Sequence, residues 1–471
     1  MEADKMQINW KEEIQKRREA LLTDLQALLK IESVRDETQA TGAAPFGPGP
    51  RAALEKFLEA AQRDGFKTEN VDHVAGHIEY GTGKETLGIL AHVDVMPAGQ
   101  GWQTNPFIPV IKDGRLYARG ASDDKGPAMA AYYGLKLLKE LQLPISKKVR
   151  LILGTDEESG WRCMTHYFEK MPTPDFGFSP DAFFPLINGE KGNVTYNVDF
   201  QGGNGEQVKL LAFTAGLREN MVPRDASARL SGIELSEVQP LLARYVADMP
   251  ITGQAQAEDG LVTITIVGKA AHAQEPRNGE NAGTYLALFL KQLGLGGGAL
   301  NFISFAADYL HQDSRMSNFG LNFTDSVMGD LTMNAGIFEF EAAKGGRITL
   351  NFRYPRGIKP TQLQAGLAKV LQKVDAELNP TGKTQEPHYV SPEDPLVQTL
   401  LRVYERQTGN QGYGMVVGGG TYGRLLPRGV AFGAMFPGAE DTMHQANEFI
   451  PVDDLLRAAA IYAEAIYELV K

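Results

Sequence analysis

A continuous apolar run, Leu87-Gly88-Ile89-Leu90-Ala91, ends at His92 and, two residues on, at Asp94. An uninterrupted run of this length is the pattern of a strand buried within a helix-covered, mostly parallel sheet. An imidazole and a carboxylate at its tip add nothing to a core. They either cap the strand at a solvent edge or do chemistry. The stretch KKVRLILGTDEE ends the same way, in Asp156, Glu157 and Glu158. Between the two, GPAMAAYYGLKLLKEL (126–141) has helical spacing, with Gly126 and Pro127 at its start. Helical patterns over 8–31 and 49–64 precede them. Strands alternating with helices predict an α/β layer with a mostly parallel, helix-flanked sheet. Ligands of such sheets sit at the carboxyl ends of the strands.

The texture changes after about residue 187. GNVTYNVDFQGGNGEQVKLLAF, ASARLSG and GLVTITIVGKAAHA alternate or are β-branched, with glycine-rich turns. Helical stretches interleave near 235–247 and 282–294, and GRITLNFRYPRG is a further strand before a helix over 360–377. Beyond about 388 the α/β texture returns, with helices expected at 395–408 and 452–470. The chain of 471 residues is long for a single core. The expected organisation is a catalytic α/β domain (1–187 and 388–471) interrupted by a large α+β lid domain (188–387).

Composition excludes several classes. The net charge is -11 and no lysine-arginine block stands out, which argues against a nucleic-acid partner. One cysteine, Cys163, leaves no intramolecular disulfide and no cysteine-rich metal site. No apolar run approaches the ~20 residues that span a bilayer, and the charged start lacks the apolar centre of a secretory signal. A cytoplasmic setting without a membrane partner is the expectation.

The polar clusters at element ends are the candidates for chemistry. Besides His92 and Asp94 they hold Asp123 and Asp124 (GASDDKGP), Glu157 and Glu158 (TDEESG), Asp181 (FSPDAFFP) and His444 (DTMHQANE). Histidine and carboxylate without cysteine suit zinc, manganese or cobalt at a hydrolytic site. Residues two apart on a strand face one side, so Asp94 could orient the His92 ring as its acceptor. Each fragment alone has an ordinary reading: Asp123-Asp124 as a turn or helix N-cap, Glu157-Glu158 as a solvated loop, Asp181 as a turn residue, His444 as a loop histidine. Their joint order, with strand-like runs before two of them, favours a site.

The stretches HVDVMPAGQGW, NPFIPVIKDGRLYARGASDDKGP, LILGTDEESGW, FSPDAFFPLINGEKG, RENMVP, GKAAHAQEPRNGENA, LNFRYP, GGGTYGR and FPGAEDTMHQANE occur in this order between His92 and Glu448, within a likeness that runs from about residue 10 to the C-terminus. In that order the chain resembles the dinuclear zinc exopeptidases, which include aminoacylases, desuccinylases and carnosinase-type dipeptidases. Within them it is most similar to the bacterial broad-specificity dipeptidases. The resemblance implies two Zn2+ per subunit, with Mn2+ or Co2+ as alternatives. It makes His92 and Asp181 ligands of one metal, Glu158 and His444 ligands of the other, and Asp123 the bridge. Asp124 stays open as the alternative bridge. A cis peptide is implied after the bridging aspartate. Glu157 becomes the general base that activates a metal-bridged hydroxide, Asp94 the orienter of His92, and His272 the oxyanion stabiliser. Asn220, Arg353, Gly419, Gly420 and Thr421 become substrate-binding, Arg353 as the anchor for a terminal carboxylate. The implied activity is hydrolysis of dipeptides with free termini, β-Ala or Xaa-His dipeptides among them, by a monomer whose insertion supplies its own histidine. An N-acyl or N-succinyl amino acid deacylase is the alternative. A catalytically dead metal scaffold is a remote third, because no ligand position is lost.

Overall fold

The computed structural model describes residues 8–471; residues 1–7, part of the expected N-terminal helical stretch, lie outside the described residues. The chain divides into two compact units. The first comprises the residues up to Gly189 with Tyr389–Met415 and Gly420–Lys471, and the second comprises Glu190–His388 and Val416–Gly419.

The first unit opens with helices α1 (Trp10–Gln15), α2 (Arg18–Leu29) and α3 (Pro48–Arg63). The expected single helix over 8–31 is broken at Lys16 and Arg17, where Arg17 caps α2 with a non-helical backbone. Strands β1 (Lys67–Val71), β2 (Ala75–Tyr80) and β3 (Thr86–His92) follow. A hairpin of β4 (Val110–Lys112) and β5 (Arg115–Tyr117) precedes helix α4 (Lys125–Glu140). Then come β6 (Lys148–Gly154), helix α5 (Arg162–Lys170) and β7 (Phe176–Ser179). The main sheet runs β1-β2-β6-β3-β7 and continues through Gly429–Ala431 and Leu186–Glu190. The pairs β6-β3, β3-β7 and β7 with Gly429–Ala431 are parallel. The apolar runs of β3 and β6 are enclosed because helices pack on the sheet: Ile89, Leu90, Leu151 and Ile152 are fully buried. Each such side chain contributes about 1.5–3 kcal/mol. The long C-terminal helix Val452–Val470 packs along α4. The α/β expectation is therefore met.

The second unit is an eight-stranded antiparallel sheet. Its order is Thr252–Glu258, Leu261–Val267, Asp225–Ser231, Lys209–Ala215, Thr332–Glu341, Gly345–Tyr354, Gly192–Phe200 and Ala376–Gln385. Burial alternates along Leu261–Val267, which is the period of a sheet with one covered face. Helices Leu235–Val246, Ala282–Leu290, Gly297–Phe305 and Pro360–Leu371 supply the cover. The helix expected over 360–377 stops at Leu371. Asp375 takes a left-handed backbone, and Ala376–Gln385 forms an edge strand. Pro380 is tolerated there because an edge position leaves one side of the ladder unpaired. The glycine-rich spot GLGGGAL contains the start of a helix, Gly297–Phe305. Each unit has its own apolar core. No helix among the described residues is long and apolar enough to cross a membrane.

Candidate metal centre

Three neighbouring parallel strands, in the order β6-β3-β7, deliver polar groups at their carboxyl ends. Strand β3 ends in His92, β6 leads into Asp156-Glu157-Glu158, and β7 leads into Asp181. Asp123 comes from the turn between β5 and α4, and His444 from the loop before Phe449–Pro451. The peptide between Asp123 and Asp124 is cis.

The geometry forms two sets that share one residue. His92, Asp123 and Asp181 each offer an atom within 4.8 Å of the others, and so do Asp123, Glu158 and His444. His92 Nε2 lies 3.0 Å from Asp123 Oδ1 and 3.5 Å from Asp181 Oδ2. His444 Nε2 lies 2.9 Å from Asp123 Oδ2 and 3.0 Å from Glu158 Oε2. Asp123 thus turns one oxygen to each set. Atoms about 2.0–2.2 Å from a tetrahedral ion lie about 3.3–3.6 Å from one another, so the two sets need only a slight expansion to hold a cation each. Two carboxylates and one imidazole per set are a donor set for zinc or a similar divalent ion, with His92 and Asp123 buried, Asp181 and Glu158 half-buried and His444 exposed. The residues fit the metal that the sequence implies.

Asp124 does not enter either set. Its Oδ2 accepts the His92 backbone N–H at 3.0 Å, so it pins the end of β3. Asp94 approaches the His92 ring with two of its oxygens. The closest partner of His92 Nδ1 is the Asp94 backbone carbonyl at 3.0 Å, with the carboxylate Oδ1 at 3.5 Å. A carbonyl can only accept, which places the proton on Nδ1 and leaves Nε2 for the ligand position. The Asp94 carboxylate also accepts the backbone N–H groups of Glu157 and Glu158, both at 3.1 Å. It holds the turn that carries those adjacent acids.

With so many acids together, protonation is strongly perturbed. Burial disfavours a charged His92, yet the carboxylates of Asp123, Asp181 and Asp94 hold its pKa well above the usual value. His444 is pushed up to about 11, against burial, by its bonds to Asp123 and Glu158. Asp123 is held below the carboxylate range, despite its burial, by bonds to both imidazoles. Glu158 rises to about 7 through burial and the Asp123 charge. Glu157 is raised well above its usual value, first by burial and then, against the pull of His92, by the charges of Asp181, Glu158 and Asp123.

The other sequence candidates fall in both units. Gly420 and Thr421 belong to the first. Thr421 Oγ1 accepts the Gly423 N–H at 3.1 Å and caps the short helix Tyr422–Leu425. Asn220, His272, Arg353 and Gly419 belong to the second unit. There the Asn220 carbonyl accepts Ala273 N–H at 2.9 Å, and Met221 bridges to His272. Buried Arg353 donates from Nε to Asn351 Oδ1 at 3.0 Å and from Nη1 to the Gly418 carbonyl at 2.9 Å. A Cβ on Gly418 would meet Gln274, two residues beyond His272, so these loops are in close contact.

Sequence reasoning missed three residues around the centre. Glu448 and Arg119 form a buried ion pair at 2.6 Å behind Asp123. The Tyr422 ring meets His92 edge-on with centroids 6.3 Å apart, its hydroxyl 3.0 Å from Cys163 Sγ. A signal for Glu448 existed: an acid directly before the strand-like Phe449-Ile450, inside the same short stretch as His444.

Comparison with known proteins shows which family the chain is similar to. The sequence profile of Peptidase family M20/M25/M40 matches residues 88–468. A Staphylococcus haemolyticus protein that carries the name dipeptidase is 43% identical over 465 residues, covering 98% of this chain and 99% of its own. A Staphylococcus aureus protein of the same name has the same identity and coverage. Among solved structures, human carnosine dipeptidase 1 shares the fold with a TM-score of 0.58 at 14% identity, over 98% of both chains. Aminoacylhistidine dipeptidase from Vibrio alginolyticus does so with a TM-score of 0.55 at 15% identity, over 96% of both.

Proposed function

The chain belongs to peptidase family M20/M25/M40, a family of metallopeptidases, and from that membership we propose that it is a metal-dependent dipeptidase acting on dipeptides with free amino and carboxyl termini. The observation that carries this reading is Asp123, one carboxylate shared between two histidine-carboxylate sets. His92, Asp123 and Asp181 would hold one divalent cation, and Asp123, Glu158 and His444 the second. Zn2+ suits these donors, and Mn2+ or Co2+ would be accepted. When bound, two such cations would polarise the scissile carbonyl and acidify water between them.

The chain's own groups do the rest. Glu157, with its raised proton affinity, takes a proton from the attacking water and passes it to the leaving amine. Asp94 fixes the turn that carries Glu157 and its ligand neighbour Glu158 by holding both backbone N–H groups. His272 is assigned to the developing oxyanion. Arg353, with Asn220, is assigned to the substrate's terminal carboxylate, where a planar guanidinium gives bidentate recognition. Gly419, Gly420 and Thr421 are assigned to the same end of the substrate. The inserted segment 188–387 is the substrate-gripping lid. In this reading the enzyme is cytoplasmic and works as a monomer, its own insertion supplying His272.

The test is a substrate panel on protein loaded with one divalent ion at a time. Carnosine-type and Ala-Ala-type dipeptides, tripeptides and N-acetyl and N-succinyl amino acids are compared by kcat/KM. The expected result is fastest turnover of free-amino dipeptides. Faster turnover of the acyl substrates would replace the reading with a deacylase.

A further inference from the structure

Glu448 is fully enclosed, and so is its partner Arg119. A buried ion pair is rarely the most stable filling for its space, since apolar side chains of equal volume often serve as well or better. The pair therefore calls for a reason beyond packing, and its hydrogen bonds indicate one. Strand Phe449–Pro451 pairs antiparallel with β5, Phe449 opposite Tyr117, which brings Glu448 against the turn that follows β5. Its Oε1 accepts from the backbone N–H groups of Gly120 at 3.1 Å, Ser122 at 2.9 Å and Asp123 at 3.2 Å, and from Ser122 Oγ at 3.0 Å. Its Oε2 takes Arg119 Nη1 at 2.6 Å. Arg119 Nη2 reaches on to the carbonyls of Pro97 and Ala98, in the loop after His92 and Asp94.

The same residue sits at the base of the His444 loop. Thr442 Oγ1 accepts the Phe449 N–H at 3.2 Å and closes that loop on itself. His444 and Asn447 both take left-handed backbones within it, and Asn447 Oδ1 accepts Gln103 N–H at 2.8 Å. One carboxylate thus fixes the backbone of Asp123 from outside and stands four residues from His444 along the chain.

We propose that Glu448 is a positioning residue for the ligand set Asp123, Glu158 and His444: its charge locks the Asp123 turn to the His444 loop and so sets the separation of Asp123 Oδ2 and His444 Nε2. The proposal rests on the metal-dependent reading of the centre. Glu448→Gln keeps the shape but sets an amide NH2 against either the cluster of N–H donors or Arg119, so the lock is lost in either orientation.

The experiment titrates the chelator-stripped full chain with Zn2+ and follows both binding steps by calorimetry. His444→Ala identifies the step that belongs to its set, and Asp181→Ala the other. Glu448→Gln is expected to weaken the His444 step by about tenfold or more, with the Asp181 step moving by less than about threefold. Glu464→Gln is the control, because Glu464 is also buried and paired with an arginine, Arg406, but at 2.8 Å on the C-terminal helix. It is expected to lower thermal stability and leave both steps in place. A His444 step unmoved in Glu448→Gln, equal weakening of both steps, or the same weakening in Glu464→Gln would each overturn the proposal. Should Glu448→Gln not fold, Ser122→Ala removes only the hydroxyl contact; it is expected to weaken the same step, and an unchanged step would overturn the proposal. A parent chain that binds no Zn2+ sinks the metal-dependent reading itself, a result distinct from any of these.

Discussion

At the scale of single residues, the centre depends on which atom of each group is free. His92 shows its Nε2 to the acids because its Nδ1 is committed to the Asp94 carbonyl. Both histidines are held protonated by surrounding carboxylates before a cation arrives, His444 up to about 11. A raised histidine pKa stabilises the metal-free fold fully below the ordinary value near 6.5, and this contribution is lost as pH rises through the folded value. A cation needs neutral imidazoles, so each binding step expels a proton. Metal affinity is expected to rise about tenfold per pH unit per step across neutrality, more steeply for the His444 step below about 7, where Glu158 also takes up a proton. Titration in buffers of different ionisation enthalpy checks this, and a pH-independent affinity would contradict it. Glu157→Gln should retain both cations and lose about 10²–10⁴-fold in kcat; steady-state kinetics beside metal analysis reads both quantities. Of the ligand candidates, His92 and Glu158 stand out because apolar runs lead into them, whereas Asp123, Asp181 and His444 were singled out by the order of motifs that the family resemblance rests on. Glu448 and Arg119 were not, because their role lies in a contact spanning 329 residues of sequence. The Asp94 carboxylate was placed beside His92, and lies 3.5 Å from its Nδ1; its hold on the Glu157 and Glu158 N–H groups was not legible, since alternation along a strand gives a face but not the bend beyond its tip.

At the scale of elements, β6, β3 and β7 place the ligands because they pack closely and in parallel. Gly88 and Gly177 sit opposite each other, and a Cβ on Gly177 would fall 1.9 Å from the Gly88 carbonyl oxygen. Helix α4, which starts directly after Asp123-Asp124, is pressed on the C-terminal helix at Gly134, where a Cβ would come 2.8 Å from the Ala463 nitrogen. Gly134→Ala is expected to destabilise the first unit by about 1–3 kcal/mol through overpacking, read as a lower denaturant midpoint, with the number of bound cations unchanged. The continuous runs of β3 and β6 and the helical spacing of α4 could be read directly, since burial on both faces leaves little room for another period. The elements read poorly were those set by tertiary contact. Helix 360–377 was overextended across Asp375, and Gly297–Phe305 was hidden in a glycine-rich stretch.

At the scale of the whole molecule, all five ligand candidates belong to the first unit, and so do the chain's three tryptophans, Trp10, Trp102 and Trp161. Tryptophan fluorescence therefore reports the unit that would bind the cations. A divalent ion at 100 times its dissociation constant should stabilise that unit by about 2.7 kcal/mol per site, seen as a higher tryptophan-detected melting temperature. A tryptophan transition that ignores added metal would contradict the assignment. The change of texture near 187 and again near 388 was read from alternating, β-branched runs and glycine-rich turns. The pairing order of the second sheet was not, because antiparallel strands with similar alternation admit many registers. The central claim is that Asp123 joins two cation sites in one chain. Metal content per chain after equilibrium dialysis tests it most directly. The account predicts two divalent ions in the parent, one in His444→Ala and one in Asp181→Ala; a single ion in the parent, or two retained in both variants, would contradict it.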